Sequence, residues 1–150
     1  MNFEMIAKKV VAAHAERDEW SGYKKIAKQH KVRYVADGLD RVAFLWQDRI
    51  YKFAKSQNSQ QQQEEIRQYE VMRAMMETNP EAFDGWGLPE MRMFRAGEYI
   101  VIEAEYLGDE MPYNLPYDNP WGAGDAHSGN VRERDGKFYL IDLGYAHVAE

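Results

Sequence analysis

Three side chains near the C-terminal end of the chain have the types and spacing that could hold a charged ligand. Asp125 lies in the polar run 124–130, and Asn130 follows it by five positions. Asp142 follows Asn130 by twelve positions, where the apolar run 138–141 stops. A carboxylate at the end of an apolar strand is costly to desolvate unless it holds something charged. The pattern therefore predicts a site for a divalent cation.

Phosphoryl transfer is a chemistry that needs this set of groups. An acid orients the acceptor hydroxyl, while an amide oxygen and a second acid hold magnesium against the nucleotide phosphates. The motif Asp125-x-His127-x-x-Asn130, followed by Ile141-Asp142-Leu143-Gly144, resembles the catalytic loop and the metal-binding Asp-x-Gly of the protein-kinase-like superfamily. It is most similar to the aminoglycoside-kinase-like branch and to small phage-encoded kinases. An Asx-rich turn before an ordinary hairpin would explain the turn residues but not both acids and the amide together.

The elements that must position these residues follow from the periodicity of the apolar side chains. Helical spacing predicts helices over 2–18, after Ser21-Gly22 and over 60–76. Alternation predicts three antiparallel strands within 31–53, a second hairpin over 91–106 and a third hairpin that turns at Asp135-Gly136. Gly85 to Pro89 predicts a linker. The expected fold class is α+β, with a mostly antiparallel five-stranded sheet, a helix against it, N-terminal helices outside and a short hairpin that carries the acids.

Lys52 is the cation expected to meet the nucleotide. It shares a strand face with Ile50, and the other face of that strand carries two aromatic residues. A lysine on a central strand is expensive to bury unless an anion meets it. An edge-strand lysine in solvent is the alternative. The resemblance implies that Glu65, on the following helix, pairs with Lys52, and Glu64 and Glu70 are the other candidates for this partner.

The resemblance assigns catalytic and metal-binding roles to the C-terminal motif. Asp125 orients or deprotonates the acceptor hydroxyl, and Asn130 and Asp142 bind Mg²⁺. Lys52, held by Glu65, contacts the phosphates of ATP. His127 shapes the loop. The nucleotide is expected in a cleft between the sheet and the hairpin.

Nucleotide contacts outside this motif are expected from a loop and a hinge. Gly38 and Arg41 belong to the loop that covers the phosphates, although 37–41 holds one glycine and two acids, where relatives are glycine-rich. Arg41 is the residue expected nearer the phosphates. Glu105 and Leu107 belong to the hinge that meets the adenine through backbone groups. The glutamine run 60–63 is expected to be a solvated helix start without a function.

The resemblance covers residues 31 to 145 and implies a minimal kinase. The interval 108–124 shows no helical pattern, so most of the second lobe is expected to be missing. The expected organisation is an N-terminal helical extension over 1–30, a kinase-like small lobe over 31–107 and a catalytic and metal-binding segment over 108–150, packed as a single domain.

Composition limits the class of partner. The net charge of −6 argues against a general nucleic-acid binder, and no apolar run reaches the length of a membrane span. There is no cysteine and no basic-then-apolar leader, so a cytoplasmic location is expected, in a host cell if the chain is phage-encoded. The expected partner is a protein substrate, a bound protein or a second copy of the chain.

Two other functions are compatible with the same residues. The first is a kinase-like pseudoenzyme that binds and modulates a partner protein, which the glycine-poor loop and the missing lobe favour. The second is a metal hydrolase built on Asp125, His127, Asp142 and His147, which leaves the spacing of Asp125 and Asn130 unexplained. The favoured interpretation is an ATP- and Mg²⁺-dependent phosphotransferase that acts on a serine or threonine of a protein.

Overall fold

The computed structural model describes residues 3–17, 28–37, 41–54, 57, 59–108 and 131–141. Within them, the α-helices are α1 (Phe3–Arg17) and α2 (Gln60–Thr78), and a 3-10 helix spans Pro80–Phe83. The strands are β1 (Arg33–Asp37), β2 (Arg41–Trp46), β3 (Arg49–Ala54), β4 (Trp86–Gly87), β5 (Met91–Ala96), β6 (Tyr99–Glu105), β7 (Val131–Arg134) and β8 (Lys137–Leu140). The predicted α+β fold class is confirmed. Of the helix predicted after Ser21-Gly22, only residues 28 and 29 belong to the described ranges, and both are helical.

The described residues form two compact units. One is drawn from Met1–Gln62 and Arg92–Tyr106, and the other from Gln63–Met91 and Leu107–Glu150. Among the described helices, none is both long enough and apolar enough to cross a membrane.

The first unit is built on a five-stranded sheet of order β1-β2-β3-β6-β5. The pairs β1–β2, β2–β3 and β3–β6 are antiparallel, and a two-residue turn joins β5 to β6. The β2–β3 hairpin turns at Gln47 and Asp48, which have φ values of 49° and 64°. Two positive φ values are what a type I′ turn requires, and its twist matches that of the flanking strands. The strands predicted from alternation within 31–53 are therefore found.

Helix α1 covers one face of this sheet. Its buried residues fall three or four positions apart, which places them on one side of a helix: Phe3, Ile6, Ala7, Val10 and Val11. They belong to the same core cluster as Val42, Phe44, Tyr51, Phe53 and Val101 of the sheet. The ring of Phe3 stacks on that of Tyr51 with centroids 3.6 Å apart. Burial of each large apolar side chain contributes about 1.5–3 kcal/mol, so this face is a packed core.

A charged network lies beside this core. Arg92 of β5 donates to Glu4 of α1 at 3.3 Å, and its Nη2 lies 2.6 Å from Oε2 of Glu103 on β6. Tyr51 stands directly opposite Glu103 in the β3–β6 ladder. Burial of the Tyr51 phenol and the nearby Glu103 carboxylate raise the pKa of Tyr51 to about 12, against the opposing effect of Arg92 and Arg49. Burial and the Glu103 carboxylate therefore keep Tyr51 protonated at pH values at which an exposed phenol has lost its proton.

Titration of Tyr51 gives a direct check of this packing. Because the folded pKa is about 12 and the usual value is 10.0, the stability contributed by the neutral phenol is complete below pH 10 and is lost as the pH rises to about 12. Absorbance of tyrosinate should show a late-titrating tyrosine that Tyr51→Phe removes. The same titration of Tyr139→Phe should retain the late phase. A late-titrating phase that persists in Tyr51→Phe would contradict this packing.

The second unit contains a three-stranded sheet of order β4-β8-β7. Strands β7 and β8 form an antiparallel hairpin whose turn residues Asp135 and Gly136 have φ values of 53° and 80°, as the sequence predicted. Strand β4 pairs with β8 in parallel, with Trp86 beside Phe138 and Gly87 beside Tyr139. The prediction that Gly85 to Pro89 is a linker is therefore wrong for β4.

A close backbone approach explains why a glycine stands in β4. A Cβ on Gly87 would lie 2.6 Å from the ring of Tyr139, so any larger residue would force that ring to move. The neighbouring Trp86 and Phe138 rings pack with centroids 5.6 Å apart. The backbone N–H of Phe138 also donates to the carbonyl of Gly85 at 2.9 Å. The sequence predicted Gly87 to be part of a linker, whereas its missing side chain allows the ring of Tyr139 to pack against the backbone of β4.

Candidate functional site

The described residues include part of the predicted site. Lys52, Arg41, Glu65, Glu105 and Leu107 are described. The predicted phosphate-loop, catalytic and metal-binding residues lie outside the described residues: Gly38, Asp125, His127, Asn130 and Asp142. Their roles stay predictions.

Lys52 lies on a central strand. In the sheet, β3 stands between β2 and β6, and Lys52 is opposite Ala43 on one side and Ile102 on the other. Lys52 is partly exposed, whereas Ile102 is fully buried. The alternative of an edge-strand lysine is therefore wrong. The strand face that carries Lys52 is the one opposite the α1 core, because neighbouring residues of a strand point to opposite faces.

Arg41 shares this face with Lys52. Arg41 stands opposite Ala54, and Ala43 stands opposite Lys52, so Arg41 and Lys52 are diagonal neighbours on adjacent strands. Diagonal neighbours are about 7–8 Å apart, within reach of long side chains. The sheet thus places two predicted phosphate-contacting cations side by side.

The first turn of α2 is fixed to the sheet by Gln62. Its Nε2 donates to the carbonyl of Lys52 at 2.7 Å and to that of Ile100 at 3.0 Å. Its Oε1 accepts from Nη1 of Arg41 at 3.2 Å. The helix is capped by Ser59, whose Oγ accepts from the backbone N–H of Gln62 at 3.3 Å. One buried amide therefore connects three strands with a helix start.

The prediction of a solvated glutamine run is wrong at this position. Gln60 is exposed, but Gln62 has no exposed surface. The sequence does hold a signal for the helix start, because Ser59 followed three residues later by Gln62 has the form of a capping box. The glutamine side chain does not reach back to Ser59 as in that motif but binds the sheet. This use depends on tertiary structure, which the local pattern does not show.

Among the three glutamates considered as partners of Lys52, burial separates one from the others. Glu65 has no exposed surface, whereas Glu70 is exposed. Glu64 forms an ion pair with Arg67, and the hydrogen bond from Arg67 lowers the pKa of Glu64. Glu65 and Gln62 are three residues apart on α2 and therefore share a helix face. Burial favours Glu65 as the glutamate that meets a cation.

The predicted hinge begins where β6 ends. Glu105 is the last residue of β6 and stands opposite Arg49 of β3. The backbone N–H of Tyr106 donates to the carbonyl of Asp48 at 3.2 Å, which fixes the chain as it leaves the sheet. Leu107 follows and is partly exposed. Backbone groups of this segment are the ones that the resemblance assigns to the adenine.

In the second unit, the residue after Leu107 is tied to the C-terminal hairpin. Nε of Arg132 on β7 donates to the carbonyl of Gly108 at 2.9 Å, and its Nη1 donates to the carbonyl of Val131 at 3.0 Å. Val131 stands opposite Leu140, and both are fully buried. The hairpin is thus anchored at the end where the chain enters and leaves it.

Comparisons with known proteins add no assignment to this geometry. No model of a protein family matches the chain, and no curated protein matches it. Within the described ranges, no group of three or more histidine, aspartate or glutamate side chains could hold a metal ion. The case for a function therefore depends on the sheet, the C-terminal motif and their chemistry.

Replacement of Gln62 by an apolar side chain of similar volume tests its anchoring role. Gln62→Met leaves two carbonyl groups and a guanidinium without this partner, so we expect a loss of about 2–4 kcal/mol in the free energy of unfolding. Gln60→Met, at an exposed position of the same helix turn, is the matched control and should change stability by less than about 0.5 kcal/mol. Denaturant unfolding measures both. Equal effects of the two changes would contradict the anchoring.

Proposed function

We propose that the chain is an ATP- and Mg²⁺-dependent phosphotransferase of the protein-kinase-like kind. The observation that carries the proposal is the position of Lys52, partly buried on a central strand of a five-stranded sheet and followed in the chain by a helix with a buried glutamate. A lysine in such a position favours contact with an anion, and the phosphates of a nucleotide are anions that it can bind. Glu65 is the residue that would hold the ammonium group in place.

The C-terminal hairpin supports the second half of the proposal. In sequence, Asn130 directly precedes Val131, and Asp142 directly follows Ile141. Val131 and Leu140 are paired, and each lies within two sequence positions of a predicted metal ligand. Carboxylate and amide oxygens are ligands that suit Mg²⁺. When bound, Mg²⁺ would offset the negative charge of the phosphates.

The roles proposed for this chain's residues follow from these chemical types. Asp125 accepts the proton of the acceptor hydroxyl and orients that hydroxyl. Asn130 and Asp142 hold the metal ion, and Lys52 binds phosphate oxygens. The backbone between Glu105 and Leu107 contacts the adenine. We propose a serine or threonine of a protein as the acceptor.

Thermal unfolding with nucleotide tests whether the site binds Mg·ATP. At a ligand concentration of 100 times Kd, binding adds about 2.7 kcal/mol of stability. We expect this shift in Tm to disappear in Asp142→Asn, because the change removes a charged metal ligand. Asp135→Asn is the matched control: it makes the same substitution in the turn between β7 and β8, at a positive φ that asparagine tolerates. Retention of the shift in Asp142→Asn would contradict the proposed metal site.

Transfer of labelled γ-phosphate from ATP to proteins of a cell lysate tests for catalysis. Asp125→Ala should keep the Mg·ATP shift and lose about 10²- to 10⁴-fold in transfer rate, because it removes the general base and leaves the metal ligands. The parent protein sets the reference rate. If the parent protein shows the shift and transfers no phosphate, the chain is a nucleotide-binding pseudoenzyme and the phosphotransferase proposal is wrong.

A further inference from the structure

The buried amide of Gln62 has one possible orientation. Nε2 faces two backbone carbonyls, those of Lys52 and Ile100. If the amide were flipped, its oxygen would face two other oxygens, and no hydrogen bond could form there. The carbonyl oxygen of the side chain must therefore point to Arg41, from which it accepts. The backbone of β3 and β6 thus determines where a guanidinium on β2 is held.

A glutamine is the side chain that can do this without adding charge. A glutamate would place a carboxylate oxygen against the two carbonyls and would bring a negative charge to Arg41. An asparagine is one methylene shorter, and a methionine has no donor for the carbonyls. The contact with Gln62 therefore fixes the guanidinium on the Lys52 face of the sheet and leaves its positive charge in place.

This arrangement bears on the glycine-poor loop of the proposed nucleotide site. In kinases, the backbone of a glycine-rich loop covers the phosphates. Here the corresponding segment, 37–41, has one glycine, and it ends at Arg41. A guanidinium donates several N–H groups in a planar array that suits phosphate oxygens. Held beside Lys52, Arg41 can supply side-chain donors to phosphate oxygens at the end of this glycine-poor segment.

We infer that Gln62 is a positioning residue for nucleotide phosphates: it holds Arg41 beside Lys52, so that both cations contact the same polyphosphate chain. The inference rests on the proposed function for the identity of that ligand, a nucleoside triphosphate. It extends that function by making recognition of the phosphate chain depend on a neutral amide in α2. The adenine contacts and the metal ligands do not depend on the contact between Gln62 and Arg41.

The test compares the affinity for ATP with the affinity for AMP, both measured by calorimetry in the presence of Mg²⁺. Arg41→Met should weaken ATP binding by about tenfold or more and leave AMP binding nearly unchanged, because charge-assisted hydrogen bonds to the outer phosphates are lost. Gln62→Met should have the same effect. The double variant should be no worse than either single variant, since the two residues act through one contact.

Ser59→Ala is the control for a merely structural role of Gln62. It removes the cap of the same helix, so it should lower Tm while the ratio of ATP to AMP affinity stays at the parent value. If Gln62→Met weakens ATP and AMP equally, or adds its full effect to that of Arg41→Met, the positioning role is wrong. If Gln62→Met does not fold, Arg41→Met alone decides, and an unchanged ratio overturns the inference.

Inorganic tripolyphosphate separates this inference from the proposed function. If the parent protein binds tripolyphosphate but not Mg·ATP, and both Arg41→Met and Gln62→Met weaken that binding, the positioning of Arg41 by Gln62 is confirmed. The phosphotransferase proposal is then wrong. If Mg·ATP binds in a manner that depends on Asp142 while the Arg41 and Gln62 variants keep the parent ratio, the positioning inference falls alone. If the parent protein binds neither ligand, both are wrong.

Discussion

A buried amide must find partners for its two ends, and in this chain that requirement connects the helix to the sheet. Gln62 satisfies both ends with groups on β2, β3 and β6, at sequence separations of 21, 10 and 38 residues. If this buried amide lost its partners, the fold would lose about as much free energy as one or two hydrogen bonds contribute. The register of these strands and the start of α2 therefore depend on each other. The position of Lys52 follows, because its own carbonyl is one of the three partners.

The opposite face of the sheet provides rigidity of a different kind. There α1 packs aromatic and aliphatic side chains on the sheet, with Phe3 stacked on Tyr51. The rim of this core is charged, and Glu103 is held between arginines of β3 and β5. One face is therefore closed by apolar packing, and the other carries the cations. Because α1 packs on the opposite face, β2 and β3 can present Arg41 and Lys52 with little freedom of the backbone.

The sequence predicted those features that depend on local pattern. Alternation within 41–54 predicted both strands, and Asp135-Gly136 predicted the turn of the last hairpin. The sequence left a central and an edge position open for Lys52, which the order of the sheet decides. It missed β4, because two residues have no periodicity and their partners, Phe138 and Tyr139, lie far along the chain. It misjudged Gln62 for the same reason, since its burial depends on strands distant in sequence. The roles of Asp125, Asn130 and Asp142 stay predictions.

We propose that Lys52 faces the phosphates of a bound nucleotide, and affinity labelling tests this most directly. An acyl phosphate of ATP transfers its acyl group to a lysine amine held beside the phosphates and releases ATP, and mass spectrometry identifies the lysine. We expect preferential labelling of Lys52, prevented by excess Mg·ATP. Labelling spread over exposed lysines such as Lys8 and Lys137, without competition by Mg·ATP, would contradict it.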